Sequence, residues 1–246
     1  MDHAELALST SLNELGKQQA AIANNLANIN STAFKRRAGT FAKFELQLDA
    51  ALREGVNSTT IPRYQERSDL TQGDFARTDV DLDVALFGDG FLRVRDPSGR
   101  DAYTRNGALA LGGDGTLMTQ SGHAVLDDGG GTIRLNEIGK ILISPQGAIV
   151  DEATGESRGR IGIFAIGDPD KLLPQGAGLF ALPAGSAEPE LSTTTQLRQG
   201  GLERSNVNSV TELVAMISVG RHHGAVARAL STVESIHDQL LNLARS

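Results

Sequence analysis

Residues Leu8–Ile29 read LSTSLNELGKQQAAIANNLANI, in which Leu8, Leu12, Leu15, Gln19, Ile22, Leu26 and Ile29 recur in alternating steps of four and three. A seven-residue apolar repeat places these positions along one seam of an α-helix. Its polar member, Gln19, is the kind of insert that fixes register at a cost in stability. Such a helix is stabilised chiefly by packing its stripe against something else, so the seam demands a partner. The other end of the chain supplies one. Met216, Val219, His223, Val226, Leu230, Val233, His237 and Leu240 again advance by three and four, with Leu213 and Ile217 widening the stripe. Ser209-Val210-Thr211-Glu212 ahead of it has the form of a capping box. Gly220 and Gly224 weaken the middle of this second helix, by up to about 1 kcal/mol each relative to alanine. The spacing predicts a discontinuous, coiled-coil-like helical domain built from both termini, residues 1–39 with 202–246.

Working inward, the composition changes. Of 28 glycines, 23 lie from Gly73 to Gly201, and all seven prolines lie between Pro62 and Pro189. That punctuation marks short strands: Leu92 and Val94, Ala102–Arg105, Thr116–Thr119, His123–Leu126, Thr132–Leu135, Lys140–Ser144, Ala148–Asp151, Arg160–Ile166 and Leu179–Leu182. Asn106-Gly107 reads as a hairpin turn. With no helical stretch between them, the strands predict an antiparallel sandwich or partly open barrel over residues 75–201, and an α+β chain that is mainly β in its middle. Residues 40–74 read as a linker, with Phe41, Phe44, Leu48 and Leu52 on one side of a short helix over Thr40–Glu54.

The whole chain, 246 residues with a net charge of −7, is long enough to bury a core without covalent staples. It has no cysteine, which excludes a disulfide, a thiolate metal site and a thiol nucleophile within it. Ten aromatics and an acidic balance argue against a nucleic-acid footprint. The longest unbroken apolar run, Leu213–Ile217, is far short of the roughly 20 residues a membrane span needs, so no direct membrane insertion is expected. Met1-Asp2-His3-Ala4-Glu5 lacks the charged and apolar regions of a cleavable secretory signal.

Motifs for chemistry fail one by one. Gly155-Glu156-Ser157-Arg158-Gly159 matches the spacing of a nucleophile elbow, so a serine hydrolase acting through Ser157 is a reading to consider. That elbow requires strand, sharp turn and helix, whereas Arg160–Ile166 reads as strand and the glycines as a hairpin turn. Asp79, Asp81 and Asp83 resemble the start of a calcium loop, but its sixth and twelfth positions hold Val84 and Gly90 in place of Gly and Glu. Their alternation with Val80, Leu82 and Val84 suggests a half-exposed strand. His3, His123, His222, His223 and His237 show no metal-ligand spacing, and no cofactor is expected. A ligand-binding β-domain on a coiled-coil stalk is a third reading. Lys35-Arg36-Arg37 reads as a solvated basic turn.

Asn24, Asn25, Asn28 and Asn30 fit this helix poorly, because asparagine competes for backbone hydrogen bonds. Amides bridging to neighbouring helices, Asn24, Asn25 and Asn28 among them, account for the cluster. Asn206 and Asn208 form a second cluster before the C-terminal helix.

These clusters carry a resemblance. Ala23-Asn24-Asn25-Leu26-Ala27-Asn28-Ile29-Asn30-Ser31-Thr32-Ala33-Phe34-Lys35 resembles the N-terminal signature of bacterial flagellar rod and hook proteins. Leu202-Glu203-Arg204-Ser205-Asn206-Val207-Asn208, continuing through Glu212–Ile217 to Arg221, resembles the C-terminal one. Asp83–Phe91 and Ala102-Tyr103-Thr104-Arg105-Asn106-Gly107 look like central elements of the same family, in the same order. Two residues depart from its pattern: Ala33 stands where glycine is usual and Ser31 where threonine is common. The resemblance implies a non-enzymatic subunit of the basal-body rod, polymerising through paired terminal helices with its β-domain outside, across the periplasm. Its partners would be copies of itself, the proximal and distal rod proteins, and the flagellar type III export apparatus, whose channel would make a cleaved signal unnecessary. The assembly interface would comprise the seam from Leu8 to Ile29, Phe34, Asn206, Asn208, and the C-terminal stripe from Leu213 to Leu240.

Overall fold

Heptad spacing at the two ends gives two long helices, α1 (His3–Ala27) and α2 (Ser209–Leu243). The computed structural model describes residues 3–45, 60–135 and 139–243. Between the helices run β1 (Arg37–Glu45), β2 (Thr60–Ser68), β3 (Phe75–Arg77), β4 (Val84–Phe87), β5 (Gly90–Arg95), β6 (Asp101–Thr104), β7 (Leu109–Leu111), β8 (Leu117–Thr119) and β9 (Ala124–Val125). There follow β10 (Ile141–Ile143), β11 (Ala148–Asp151), β12 (Ser157–Arg160), β13 (Ile163–Ala165), β14 (Leu173–Gly176), β15 (Leu179–Ala181), β16 (Glu190–Leu191), β17 (Gln196–Gln199) and β18 (Gly201–Glu203). The architecture is α+β, with antiparallel sheets that do not close into a barrel.

Two units divide the chain. The helical unit holds α1, α2 and the paired strands β1 and β2; the β unit comprises Asn28–Arg36 and Ser68–Val207. In the β unit the largest sheet runs β14-β15-β6-β5-β9-β8-β7, with β13 pairing both β5 and β16. Strands β10-β11-β12 form a second sheet, and β17–β4 and β18–β3 are separate pairs. Alternation turns one face of each strand inward: Leu92 and Val94, Leu117, Val125, Ile149, Ile161 and Leu197 meet in one core. Phe91, Tyr103, Phe164, Ile166, Leu172 and Phe180 form a second, smaller one.

Several expectations need correction. Residues 40–45 are strand, not the start of a helix. Phe41 sits three residues from Phe44, a helical interval, but it stacks against Tyr64 of β2 with ring centroids 5.6 Å apart. Leu48 and Leu52 lie outside the described residues. Asn106-Gly107 turns no hairpin, because β6 pairs with β5 and β15 while β7 pairs with β8. What Gly107 supplies is proximity: a Cβ there would stand 1.8 Å from the Val84 carbonyl oxygen. The aspartate series is not a strand before Val84; Asp79 is in left-handed backbone, and Asp83 accepts a 2.7 Å bond from Thr78 Oγ1. Residues 132–135 contribute isolated bridges, Leu126 with Thr132 and Thr116 with Arg134, rather than a strand.

Gly16 lies inside α1, and a Cβ built on it meets nothing within 4 Å. Gly16→Ala is therefore expected to stabilise the helical unit by about 1 kcal/mol, the propensity difference alone, read as a rise in the thermal midpoint of the helix signal.

Candidate functional site

Asn25 meets Glu212 at the start of α2, and Leu15, three turns earlier in α1, belongs to one cluster with Val219 and Val226, so the helices run antiparallel. Leu15 and Ile22 are buried with Val219, and Leu26, Ala215, Met216 and Val226 pack against them. These are the seam positions that the structure brings together. Leu8, Leu12, Ile29, Leu230 and Val233 are half-buried. Gln19 is exposed and takes no place in this core. The Leu240 side chain lies outside the described residues.

Polar groups fix the pair. Asn25, fully buried, receives the Arg37 N–H on Oδ1 at 2.7 Å and donates through Nδ2 to the Arg37 carbonyl (2.8 Å) and to Glu212 Oε2 (3.1 Å). Its amide is satisfied within the chain, and the bond to Glu212 bridges to the neighbouring helix α2. Asn28 likewise accepts from Ser31 Oγ at 3.0 Å. Glu14, also buried, accepts the Tyr64 N–H at 2.7 Å and pairs with Lys17 at 2.6 Å, tying β2 to α1. The cap of α2 is one residue earlier than the capping box predicted. Asn208 Oδ1 receives the Thr211 N–H at 3.0 Å, and the Glu212 carboxylate accepts from Asn25 Nδ2.

On the side of α2 away from this seam, Val210, Leu213, Val214 and Ile217 are 67, 52, 63 and 56 % exposed. Steps of three, one and three set them on one face of the helix. Four large apolar side chains on one solvent-facing stripe are unusual unless a partner covers them.

The β unit carries a second constellation, assembled from the motifs rather than from either helix. Lys35, Arg105 and Glu203 are each at most 3 % exposed. Glu203 Oε1 receives Lys35 Nζ at 2.6 Å and the Gly73 N–H at 2.9 Å; Oε2 receives Arg105 Nε at 2.9 Å. Lys35 also donates to the Thr71 carbonyl at 2.6 Å, and Arg105 to those of Leu86, Gly88 and Gly90. Gly73 is required here, since a Cβ would stand 2.0 Å from the Arg204 carbonyl oxygen. Asn206 closes the knot, accepting the Arg36 N–H at 2.7 Å and donating to the Asp69 and Thr71 carbonyls. Half-buried Phe34 accepts the Asn206 N–H through its carbonyl, and Ala33, in left-handed backbone at φ +52°, donates to the Glu203 carbonyl at 2.8 Å. The left-handed turn is thus kept without the usual glycine.

Lys35 is accordingly no solvated turn. Burial pulls its ammonium below the ordinary lysine pKa, against the opposing pull of Glu203, and the Arg105 charge adds to the lowering. Two cations share the Glu203 carboxylate, and Asp69 is a further negative charge acting on Lys35. Composition did not reveal this, since the partners lie 168 and 98 residues apart in the chain.

Ser157 opens β12, exposed, in the β11–β12 hairpin, and a strand rather than a helix follows it. The nucleophile-elbow geometry is not met.

Two family models match the chain: the "Flagellar hook protein FlgE/F/G D1 domain" over residues 85–151 and the "Flagellar basal body rod FlgEFG protein C-terminal" over residues 198–243. Among curated relatives, the flagellar basal-body rod protein FlgF of Caulobacter vibrioides is 31% identical, covering 90% of this chain and 89% of the relative. FlgG of Bacillus subtilis is 32% identical over 91% and 92%. FlgF of Salmonella typhimurium is 30% identical over 99% and 100%.

Proposed function

The chain belongs to the flagellar basal-body rod protein family, a family of structural proteins, and from that premise we propose that it is a proximal-rod subunit of the FlgF kind. It is a structural subunit of the bacterial flagellar rod. The observation that carries the assembly reading is the antiparallel pair α1–α2 with its outward apolar stripe at Val210, Leu213, Val214 and Ile217. Subunits of this kind pack through the terminal helices, Leu8 to Ile29 on one side and Leu213 to Leu240 on the other, with copies of themselves and with other rod and hook-basal-body proteins. The rod they form crosses the periplasm. Each subunit reaches it through the flagellar type III export apparatus. Its work is mechanical: stacked helices transmit torque and no bond is broken. Contacts that do not close into a ring generate a helical filament, the geometry of a shaft.

Leu26→Asp places a carboxylate against the cluster of Leu15, Ile22 and Val219, and is expected to abolish swimming in soft agar and to remove the subunit from purified basal bodies. The β unit should keep its stability. A strain carrying the change that swims normally would overturn the seam. Similarity to FlgG favours the distal rod as a second reading, and complementation separates the two: rescue of a strain lacking its FlgF-type subunit supports the proximal assignment, and rescue of one lacking the FlgG type replaces it.

A further inference from the structure

We propose that Asn106-Gly107 is a self-modification site that the fold holds shut, and that its reaction marks and removes chains left unfolded. Of the asparagines in the chain, only Asn106 precedes a glycine. A residue without Cβ leaves its own nitrogen unobstructed. The Gly107 nitrogen can then attack Cγ of Asn106. The N–Cγ bond forms, the Cγ–Nδ2 bond breaks, and the amide proton leaves with Nδ2 as ammonia. Water opens the resulting cyclic imide at either carbonyl. One opening gives aspartate; the other gives isoaspartate, which routes the main chain through the side chain and lengthens it by one methylene.

In the folded chain this dipeptide is clamped. Asn106 Oδ1 accepts the Ala108 N–H at 3.1 Å, the Asn106 N–H donates to Thr104 Oγ1 at 3.0 Å, and the Gly107 carbonyl accepts the Val84 N–H at 3.0 Å. Ring closure requires the amide to release Ala108 and the peptide plane between Asn106 and Gly107 to rotate. Val84 obstructs that rotation: Gly107 is buried, and lies so close to the Val84 carbonyl oxygen that even a Cβ would clash with it. Closure therefore waits on an opening of the β unit.

The isoaspartate product does not fit back. On one side of the site Arg105 is anchored by Glu203 Oε2 and by the carbonyls of Leu86, Gly88 and Gly90. On the other, Gly107 is fixed to Val84. The extra methylene falls between two anchors, and the carboxylate moves off the Ala108 N–H. A chemical change confined to the unfolded chain thus becomes an irreversible loss from the folding pool.

The full-length chain, held in mild alkali either folded or in guanidinium chloride, provides the test, with isoaspartate at position 106 quantified by peptide mass spectrometry. The unfolded chain should react at least about a hundredfold faster, because only it presents the open site. Thr104→Val keeps the shape of the side chain but removes the acceptor for the Asn106 N–H. It should speed the reaction of the folded chain and leave that of the unfolded chain unchanged. After dilution from denaturant, unmodified chains should regain the β unit and isoaspartate chains should collect in the fraction that does not refold. Asn106→Ser, aged in the same way, should refold in full. Comparable rates folded and unfolded, or indifference of the folded rate to Thr104→Val, would overturn the clamp. Isoaspartate shared equally between refolded and unfolded fractions, or an equal loss of refolding in Asn106→Ser, would overturn the removal of marked chains.

Discussion

Glu203→Gln should lower the stability of the β unit by about 3–5 kcal/mol, the range for removing one partner of a buried ion pair. Glutamine keeps the shape of the side chain and one acceptor for the Gly73 N–H, so the loss is electrostatic rather than a cavity. What remains is Lys35 and Arg105, both buried, with no carboxylate between them. Lys35→Met should cost distinctly less, because it leaves Arg105 and Glu203 as a balanced pair. The decisive comparison is the double variant. In the Glu203→Gln background, Lys35→Met should restore stability, giving a coupling energy of opposite sign to either single loss, measured by urea unfolding of the full chain. Additive losses would mean that the three groups do not share one charge site.

Asn25→Asp has the second large effect expected. The change is isosteric, but it replaces an amide that donates to Glu212 Oε2 and to the Arg37 carbonyl with an oxygen that only accepts. Two carboxylates then face each other in a buried site, which should cost the helical unit about 3–5 kcal/mol at neutral pH. Asn25→Ala loses the hydrogen bonds without adding charge and should cost about 1–3 kcal/mol. The two differ in their dependence on pH. The introduced carboxyl is disfavoured when ionised, so its pKa in the folded chain rises above the unfolded value of about 3.9. Its penalty is fully present above the folded pKa and shrinks as pH falls toward the unfolded one. Thermal melts of the helical circular dichroism should therefore converge for the two variants in acid and separate near neutrality. A constant gap between them would show that Glu212 does not face position 25.

What could be read from the sequence follows from the range of the interactions. The helix pair was legible because burying one face imposes a repeat of three and four, visible at Leu15, Ile22, Val219 and Val226 without knowledge of the partner. Turn-rich composition likewise announced β11 with its bounds intact at Ala148–Asp151. The errors arose where two signals coincide or where the partner is distant. Phe41 and Phe44 sit at a helical interval by chance, and pairing of β1 with β2 overrides it. Ser209 and Asn208 are both good caps, and in the fold Asn208 receives the Thr211 N–H while Glu212 is bonded by Asn25. Lys35 looked solvated because a run of three basic residues is judged locally, while its carboxylate arrives 168 residues later. For the same reason Arg105 and Glu203 were seen in their motifs but given no role.

The bond between Arg36 and Asn206 has a consequence for the order in which the chain folds. About 180 residues separate the end of α1 from the start of α2, and closing a flexible loop of that length costs about 4–5 kcal/mol in chain entropy. Once the β unit has formed, its stems at Arg36 and Asn206 are already side by side, and the loop left to close is only about a dozen residues. That shortening recovers about 2 kcal/mol of the entropy. Pairing the helices on a formed β unit therefore costs less chain entropy than pairing them first, even though they lie at the two extremes of the sequence.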